Sequence, residues 1–177
     1  MERLPVDSVP VSGSWLRHTP ADSGPLGRPP VPADGRWQRG AVIEGLYLAA
    51  EEATVWAEWY RWLAEHEVEP LRSLPRELWR YRASLRNVAD LTSTATLTAL
   101  GLPSAQPARE QWPAFQRIGE HLHAGGFEGL LYRSAARPEG VCLCVFRGSP
   151  VAATRLDPLP PPQRVDTPPT PPRGLRT

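Results

Sequence analysis

The clearest patterns of apolar and polar positions lie in the middle of the chain, where they predict helices and strands. Aromatic and aliphatic residues recur at helical spacing from Glu51 to about Glu65, which predicts a helix there. Apolar and polar residues alternate through Trp79–Leu85, which predicts a half-buried strand. Together with the remaining elements, this predicts a mixed α/β or α+β domain with a central mixed sheet and flanking helices. The remaining predicted elements are strands at Val42–Ala50, Val88–Leu91, Leu130–Tyr132 and Val141–Phe146, and helices at Thr94–Leu100 and Pro113–Ala124.

Proline marks both ends of the chain. Of the 22 prolines, seven fall in residues 1–35 and eight in residues 151–177. Residues 1–35 are also punctuated by glycine, and we expect them to wrap the core irregularly. The stretch from Leu156 to Thr177 has almost no apolar residues to bury, so we expect a disordered tail. The predicted organisation is one domain over residues 1–155, followed by the Pro-rich tail 156–177.

Charge and composition exclude several classes of protein. The chain has 20 basic and 19 acidic residues, which is not the strongly basic balance of a nucleic-acid-binding protein. Every basic residue is arginine. The absence of lysine excludes a P-loop, a pyridoxal Schiff base and a protein kinase, so any phosphate must be bound by arginine or by backbone N–H groups.

Two further features bear on location and on metal binding. The chain shows no signal peptide and no apolar run near the ~18 residues that span a bilayer, so we expect a soluble, cytoplasmic protein with no membrane partner. The cysteines, Cys142 and Cys144, lie two residues apart in a predicted strand. We interpret them as buried apolar residues rather than as a disulfide or a metal site.

Three polar residues are candidates for chemistry, each with an ordinary structural alternative. Glu58 falls just outside the apolar arc of the predicted helix, where a carboxylate could face a cleft or simply be solvated. Arg36 lies in a polar turn beside Trp37, where it could grip a phosphate or be an ordinary surface arginine. Ser134 follows the strand Leu130–Tyr132, which suits either a binding site or a turn. A G-x-S-x-G nucleophile elbow is absent from the sequence.

An ordered set of residues runs through most of the chain. It comprises Arg17, Gly35-Arg36-Trp37, Tyr47-Leu48-Ala49, Glu58, Asp90-Leu91-Thr92 and Gly126–Ser134. This set resembles the RES domain family, which is named for its Arg, Glu and Ser, over about Trp15 to Gly148. The chain departs from the family pattern at Asp34 and Gln38, where Gly and Asn are usual, and at His18, where an aromatic or aliphatic residue often follows the first arginine.

The resemblance implies a fold akin to the bacterial ADP-ribosylating toxins. It implies cleavage of the nicotinamide–ribose bond of NAD, with water or phosphate as acceptor, so that NAD is a substrate and no cofactor or metal is required. It also implies a toxin–antitoxin setting, in which a protein with an Xre-type helix-turn-helix blocks the site.

The implied chemistry suits the residues of the set. Nicotinamide in NAD is already cationic and leaves without a general acid, so the main requirement is one carboxylate beside an oxocarbenium-like ribose. Glu58 fits that role, and Ser134 can hydrogen-bond near the reacting ribose. Tyr47 can stack on the nicotinamide ring. Arg17 and Arg36 can hold the diphosphate.

A second hypothesis from a different class stays open: a non-catalytic RES-like module that binds a nucleotide or a protein partner without turnover. The Pro-rich tail and the altered Arg-Trp turn motivate it. Exposed aromatic surface among the seven tryptophans would suit a homo-oligomer. Binding of single-stranded nucleic acid by Trp and Arg is disfavoured, because the tryptophans lie at core spacing and the net charge is +1.

Overall fold

The computed structural model describes residues 4–27, 32–103, 106–147 and 155–177. The described residues form six strands and three α-helices, with two short 3₁₀ turns at Pro70–Ser73 and Arg109–Gln111. In chain order the elements are β1 (Asp7–Pro20), β2 (Glu44–Ala49), α1 (Glu52–Glu65), β3 (Arg76–Leu91), α2 (Thr94–Ala99), α3 (Trp112–Ala124), β4 (Gly129–Arg133), β5 (Val141–Arg147) and β6 (Leu156–Val165).

The strands form one mixed sheet in the order β1-β2-β5-β4-β3-β6, in which β3 also pairs with β1. The sheet therefore curves back on itself. The last residues of β3 run parallel to β4, and the other pairings are antiparallel. β1 and β2 share a single register pair, Leu16 with Ala49, so these two strands separate at either side of it. The mixed sheet and its flanking helices confirm the predicted fold class.

The two faces of the sheet carry separate cores, because side chains alternate between faces along each strand. Helices α1 and α3 pack on one face and form the helix-side core, while the opposite core fills the other face. The largest residues of the helix-side core are Trp37, Trp56, Trp59, Phe115, Tyr132 and Phe146. Those of the opposite core are Trp15, Trp79 and Tyr81.

The helices begin and end where the sequence favours it. Ser93 caps α2 by accepting a hydrogen bond from the backbone N–H of Thr96 at 3.0 Å. Pro113 lies in the first turn of α3, where its missing N–H has no helical partner to lose. After α3 ends, Gly126 adopts a φ of +85°, which glycine reaches without strain. Among the described residues, no helix is long and apolar enough to cross a membrane.

The predicted disorder of the C-terminal tail is wrong for residues 156–165. These residues form β6, which pairs with β3 from Ala83–Leu156 to Arg76–Val165. The proline-rich composition suggested disorder, but an edge strand tolerates proline, because the missing N–H can lie on the side that faces away from the partner strand. Leu156 is also buried. The sheet therefore continues past the predicted domain boundary at residue 155.

The predicted irregular N-terminus is also wrong over residues 7–20, which form β1. Its pairing partners in β3 lie 56 (Pro20–Arg76) to 83 (Asp7–Asp90) positions further along the chain, and this pairing orders the segment despite its Pro and Gly. Residues 28–31 of the N-terminal stretch, and Gly148 at the end of the family resemblance, lie outside the described residues.

Beyond β6, residues 166–177 run past α1 without forming a strand. Tyr60 of α1 donates a 2.5 Å hydrogen bond to the carbonyl of Pro169. The backbone N–H of Arg176 donates to the carbonyl of Ala136 at 2.8 Å. We call residues 166–177 the C-terminal strap.

Candidate functional site

Glu58 and Ser134 meet through a direct hydrogen bond. Ser134 comes directly after β4 and is fully buried. Its Oγ donates to Glu58 Oε1 at 2.5 Å. The same Oγ accepts the backbone N–H groups of Arg137 at 2.9 Å and Ala136 at 3.2 Å. With both lone pairs of the hydroxyl occupied, its proton must point at the carboxylate, so Ser134 fixes the orientation of Glu58.

The loop that follows Ser134 is tied to α1 on both sides of Glu58. Arg137 Nη1 donates to Glu51 Oε2 at 2.6 Å and to Thr54 Oγ1 at 2.9 Å. One turn past Glu58, Arg61 Nη1 donates to the carbonyl of Ala135 at 3.2 Å. Sequence reasoning missed both arginines, because their contacts join segments more than 70 residues apart and leave no local signal.

Arg36 lies in an aromatic cage next to this pair. It is only 8% exposed. Its guanidinium carbon is 5.1 to 5.2 Å from the ring centroids of Trp37, Phe115 and Tyr132. Nη1 donates to the carbonyl of Arg133, the residue before Ser134, at 3.3 Å. Burial lowers the pKa of Arg36, and the ionisable groups of Tyr132 and Glu58 oppose this. Arg36 is therefore a buried cation within electrostatic reach of the Glu58 carboxylate.

Tyr47 joins the Arg36 turn to the sheet. Its hydroxyl accepts the backbone N–H of Trp37 at 3.1 Å and donates to Gln38 Oε1. Its ring meets the edge of Tyr132 with centroids 6.4 Å apart. Burial raises the pKa of Tyr47 well above its ordinary value, so the phenol is neutral. A half-buried neutral ring is thus held at a fixed place beside Arg36.

Gly35 and Gln38 shape the part of the turn that surrounds the Tyr47 hydroxyl. A Cβ on Gly35 would lie 2.3 Å from the Tyr47 hydroxyl, so a side chain at this position would displace the ring. Gln38 replaces the usual asparagine of the family and still reaches the hydroxyl, while its Nε2 donates to the Ala33 carbonyl at 3.4 Å. The longer side chain therefore preserves this link of the turn.

Arg17 is not brought into this group. It lies between Leu16 and His18, which face the helix side, so its own side chain starts from the opposite face, with Trp15. Arg17 Nη1 donates to the carbonyl of Pro25 at 3.3 Å, and Tyr81 Oη donates to the same oxygen at 2.5 Å. The structure thus groups Glu58, Ser134, Arg36 and Tyr47 and places Arg17 in a second location.

The cysteines are free and buried, as their place in β5 predicted. Burial raises the pKa of Cys142, and it raises that of Cys144 to about 12. Both thiols are therefore protonated and unsuited to nucleophilic or metal chemistry. The described ranges contain no cluster of three or more His, Cys, Asp or Glu side chains that could hold a metal ion.

A cavity of about 240 Å³ lies between the first turns of α1 and the end of β6. It is lined by Glu52 and Trp56 from the helix and by residues 163–167 and Pro169. Neither Glu58 nor Ser134 lines it. We locate the candidate site by the convergence of polar groups instead. A half-exposed carboxylate that Ser134 holds in one orientation is suited to stabilising a positive charge that develops next to it.

Comparisons with known proteins identify the family and the fold of the chain. A family model described as the RES domain matches residues 9–167. No curated protein matches the chain. A solved structure titled as the crystal structure of the M. tuberculosis MbcT-MbcA toxin-antitoxin complex matches with a TM-score of 0.74 and 23% sequence identity, covering 90% of this chain and 86% of that one. At this level of identity, the likeness shows the fold.

Proposed function

The chain belongs to the RES domain family, and from this premise we propose that it cleaves the bond between nicotinamide and ribose in NAD. The observation that carries the proposal is the hydrogen bond of 2.5 Å that orients the Glu58 carboxylate through Ser134. The two residues are the Glu and the Ser for which the family is named. Arg36, one of the two arginines of the ordered set, lies within electrostatic reach of Glu58.

The cleavage step needs little from the protein beyond positioning and charge. The C–N bond breaks with both electrons leaving on nicotinamide, which becomes neutral, and positive charge develops on the ribose. The Glu58 carboxylate stabilises that charge, and its second oxygen can accept a hydrogen bond from a ribose hydroxyl. Water then adds to the ribose and loses a proton, giving ADP-ribose. Phosphate as acceptor would give the 1-phosphate of ADP-ribose instead.

The other residues of the site support this step in different ways. Ser134 holds the carboxylate in one orientation. Tyr47 offers a fixed neutral ring on which the cationic nicotinamide can stack before it leaves. The buried guanidinium of Arg36 balances the charge of Glu58 in the resting site. Arg17 extends from the opposite face of the sheet, so it takes no part in this step, and its contact with the diphosphate stays a prediction.

We further propose that the protein is a toxin neutralised by an antitoxin, with an Xre-type helix-turn-helix protein as partner. The support is family membership and the likeness to a chain from a toxin–antitoxin complex. Depletion of cytoplasmic NAD by the uninhibited enzyme would arrest growth. An antitoxin would act by covering the half-exposed Glu58.

The direct test is to incubate the purified, partner-free protein with NAD and to quantify nicotinamide by chromatography. Parallel reactions with and without inorganic phosphate identify the acceptor from the product. We expect nicotinamide release at a rate far above that in the absence of protein. If NAD binds but stays intact over long incubation, the protein is the non-catalytic binding module and the enzymatic proposal is wrong.

A further inference from the structure

Arg76, the first residue of β3, is a half-buried arginine without a carboxylate partner. Its Nη2 and Nε donate to His18 Nδ1 at 2.6 and 3.2 Å, and its Nη1 reaches Ser73 Oγ at 3.5 Å. Both partners are neutral. In the described part of the chain, Arg76 forms no ion pair, whereas several other arginines pair with glutamate. Those pairs are Arg39–Glu120, Arg61–Glu65, Arg137–Glu51 and Arg147–Glu44.

His18 cannot supply the missing negative charge. Its ring stacks on Trp56 with centroids 5.6 Å apart and planes 16° apart, and it meets the edge of Trp59. Because Nδ1 accepts from a guanidinium, this nitrogen is unprotonated. Burial, followed by the charges of Arg76 and Arg17, holds the pKa of His18 well below its usual range. His18 therefore acts as a rigid neutral acceptor that fixes one edge of the Arg76 guanidinium.

Arg17 adds a second positive charge to the surroundings of Arg76. Burial lowers the pKa of Arg76 to about 10, and the positive charge of Arg17 contributes to this shift. Arg17 Nη1 donates to the carbonyl of Pro25, which is also neutral. Arg17 extends from the opposite face of the sheet, so its positive charge acts on Arg76 without direct contact, and in the described ranges neither arginine forms an ion pair with an acidic side chain. A bound anion would remove both the cost of burial and the repulsion.

We propose that Arg76, held by His18 and assisted by the charge of Arg17, binds a phosphate group. His18 occupies the Nε–Nη2 edge of the guanidinium, which leaves the Nη1–Nη2 edge as the fork for two phosphate oxygens. The site lies on the helix-side face of the sheet, against α1, the helix that carries Glu58. The phosphate comes either from free inorganic phosphate or from a nucleotide diphosphate. Binding at Arg76 goes beyond the proposed cleavage and does not depend on it.

The test measures binding rather than turnover. Inorganic phosphate and ADP-ribose are titrated by calorimetry into the wild type, Arg76→Gln and Arg82→Gln at constant ionic strength. Arg82 is the matched control, because it is an exposed arginine of the same strand. We expect at least one of the two ligands to bind the wild type and Arg82→Gln alike, and to bind Arg76→Gln at least tenfold more weakly.

The two ligands distinguish the source of the phosphate. Binding of inorganic phosphate alone identifies a free-anion site, and binding of ADP-ribose alone identifies a diphosphate site. Circular dichroism checks that each variant is folded. If Arg76→Gln does not fold, Arg76→Lys keeps the charge and loses the fork, and the same weakening is expected. Unchanged affinity in the folded Arg76 variant, or no binding of either ligand to the wild type, would overturn the proposal.

Discussion

The hydroxyl of Ser134 donates a 2.5 Å hydrogen bond to the carboxylate of Glu58, a residue 76 positions earlier in the chain. Glu58 lies on helix α1, and Ser134 comes directly after strand β4. Because two backbone N–H groups already occupy the serine oxygen, the hydroxyl has one direction left for its proton. The serine is therefore an orienting group for the carboxylate rather than a nucleophile.

Ser134→Ala tests this orienting role. The change removes the donor to Glu58 and the acceptor of the Arg137 N–H, and it leaves the Ala136 N–H only the longer contact of 3.5 Å to Glu58, so we expect a loss of about 1–3 kcal/mol in the free energy of unfolding. We also expect a fall in NAD turnover of at least tenfold, from disorder of the carboxylate. Urea unfolding and steady-state kinetics measure the two effects.

Ser93→Ala is the matched control for that experiment. It removes the cap of α2, which costs about 1 kcal/mol of stability at a distance from the site. Turnover should stay at the wild-type rate in this variant. Equal losses of activity in both serine variants would mean that stability, and not orientation of Glu58, accounts for the effect.

Removal of residues 156–177 should destabilise the fold. The truncation removes β6 and exposes the surface that Leu156 buries, and burial of this side chain alone contributes roughly 1.5–3 kcal/mol. Truncation after Val165 keeps β6 and should leave most of the stability in place. Thermal unfolding of the two truncated proteins and the full chain measures the difference. Equal melting temperatures in all three would contradict the pairing of β6 with β3.

His18 should make the protein less stable in acid. Its pKa is lowered in the folded state, so the unfolded chain binds the proton more readily. The free energy of unfolding is therefore highest above the ordinary histidine pKa of about 6.5. It decreases as the pH falls below that value, by at most about 1.4 kcal/mol per pH unit.

Urea unfolding of the wild type and of His18→Gln at pH 7.5 and pH 5 isolates this contribution, because the other titrating groups are common to both proteins. The wild type should lose more stability than the variant between these two pH values. A stability difference between the two proteins that does not change with pH would show that His18 titrates normally in the fold.

The elements with strong local periodicity were predictable from the sequence. Helix α1 was predicted within one residue at its start, and β5 within one residue at its end, because their apolar spacing matches the helix and strand periods. The strands β1 and β6 were not predictable from local sequence, since both segments become strands by pairing with β3. Proline and glycine in both segments suggest irregular structure when the distant partner is unknown.

The candidate site was predictable in part. The ordered family residues identified Glu58, Ser134, Arg36 and Tyr47, which the fold brings together. The position of Arg17 could not be anticipated, because it depends on the face it takes in a strand that local pattern did not reveal. The contacts of Arg36 with Phe115 and Tyr132 and the Arg76–His18 contact also escape sequence reasoning, since they join residues 58 to 96 positions apart.

The most direct test of NAD cleavage at this site is the kinetics of Glu58→Gln. This change keeps the size of the side chain and its ability to accept from Ser134, and it removes only the negative charge. Glu110→Gln, at an exposed glutamate in the 3₁₀ turn before α3, serves as the control. Nicotinamide release is measured over a range of NAD concentrations, with folding checked by circular dichroism. We predict that kcat falls about a hundredfold in Glu58→Gln, or about 3 kcal/mol, with little change in NAD binding and no change in Glu110→Gln. A folded Glu58→Gln that releases nicotinamide at the wild-type rate would contradict the account.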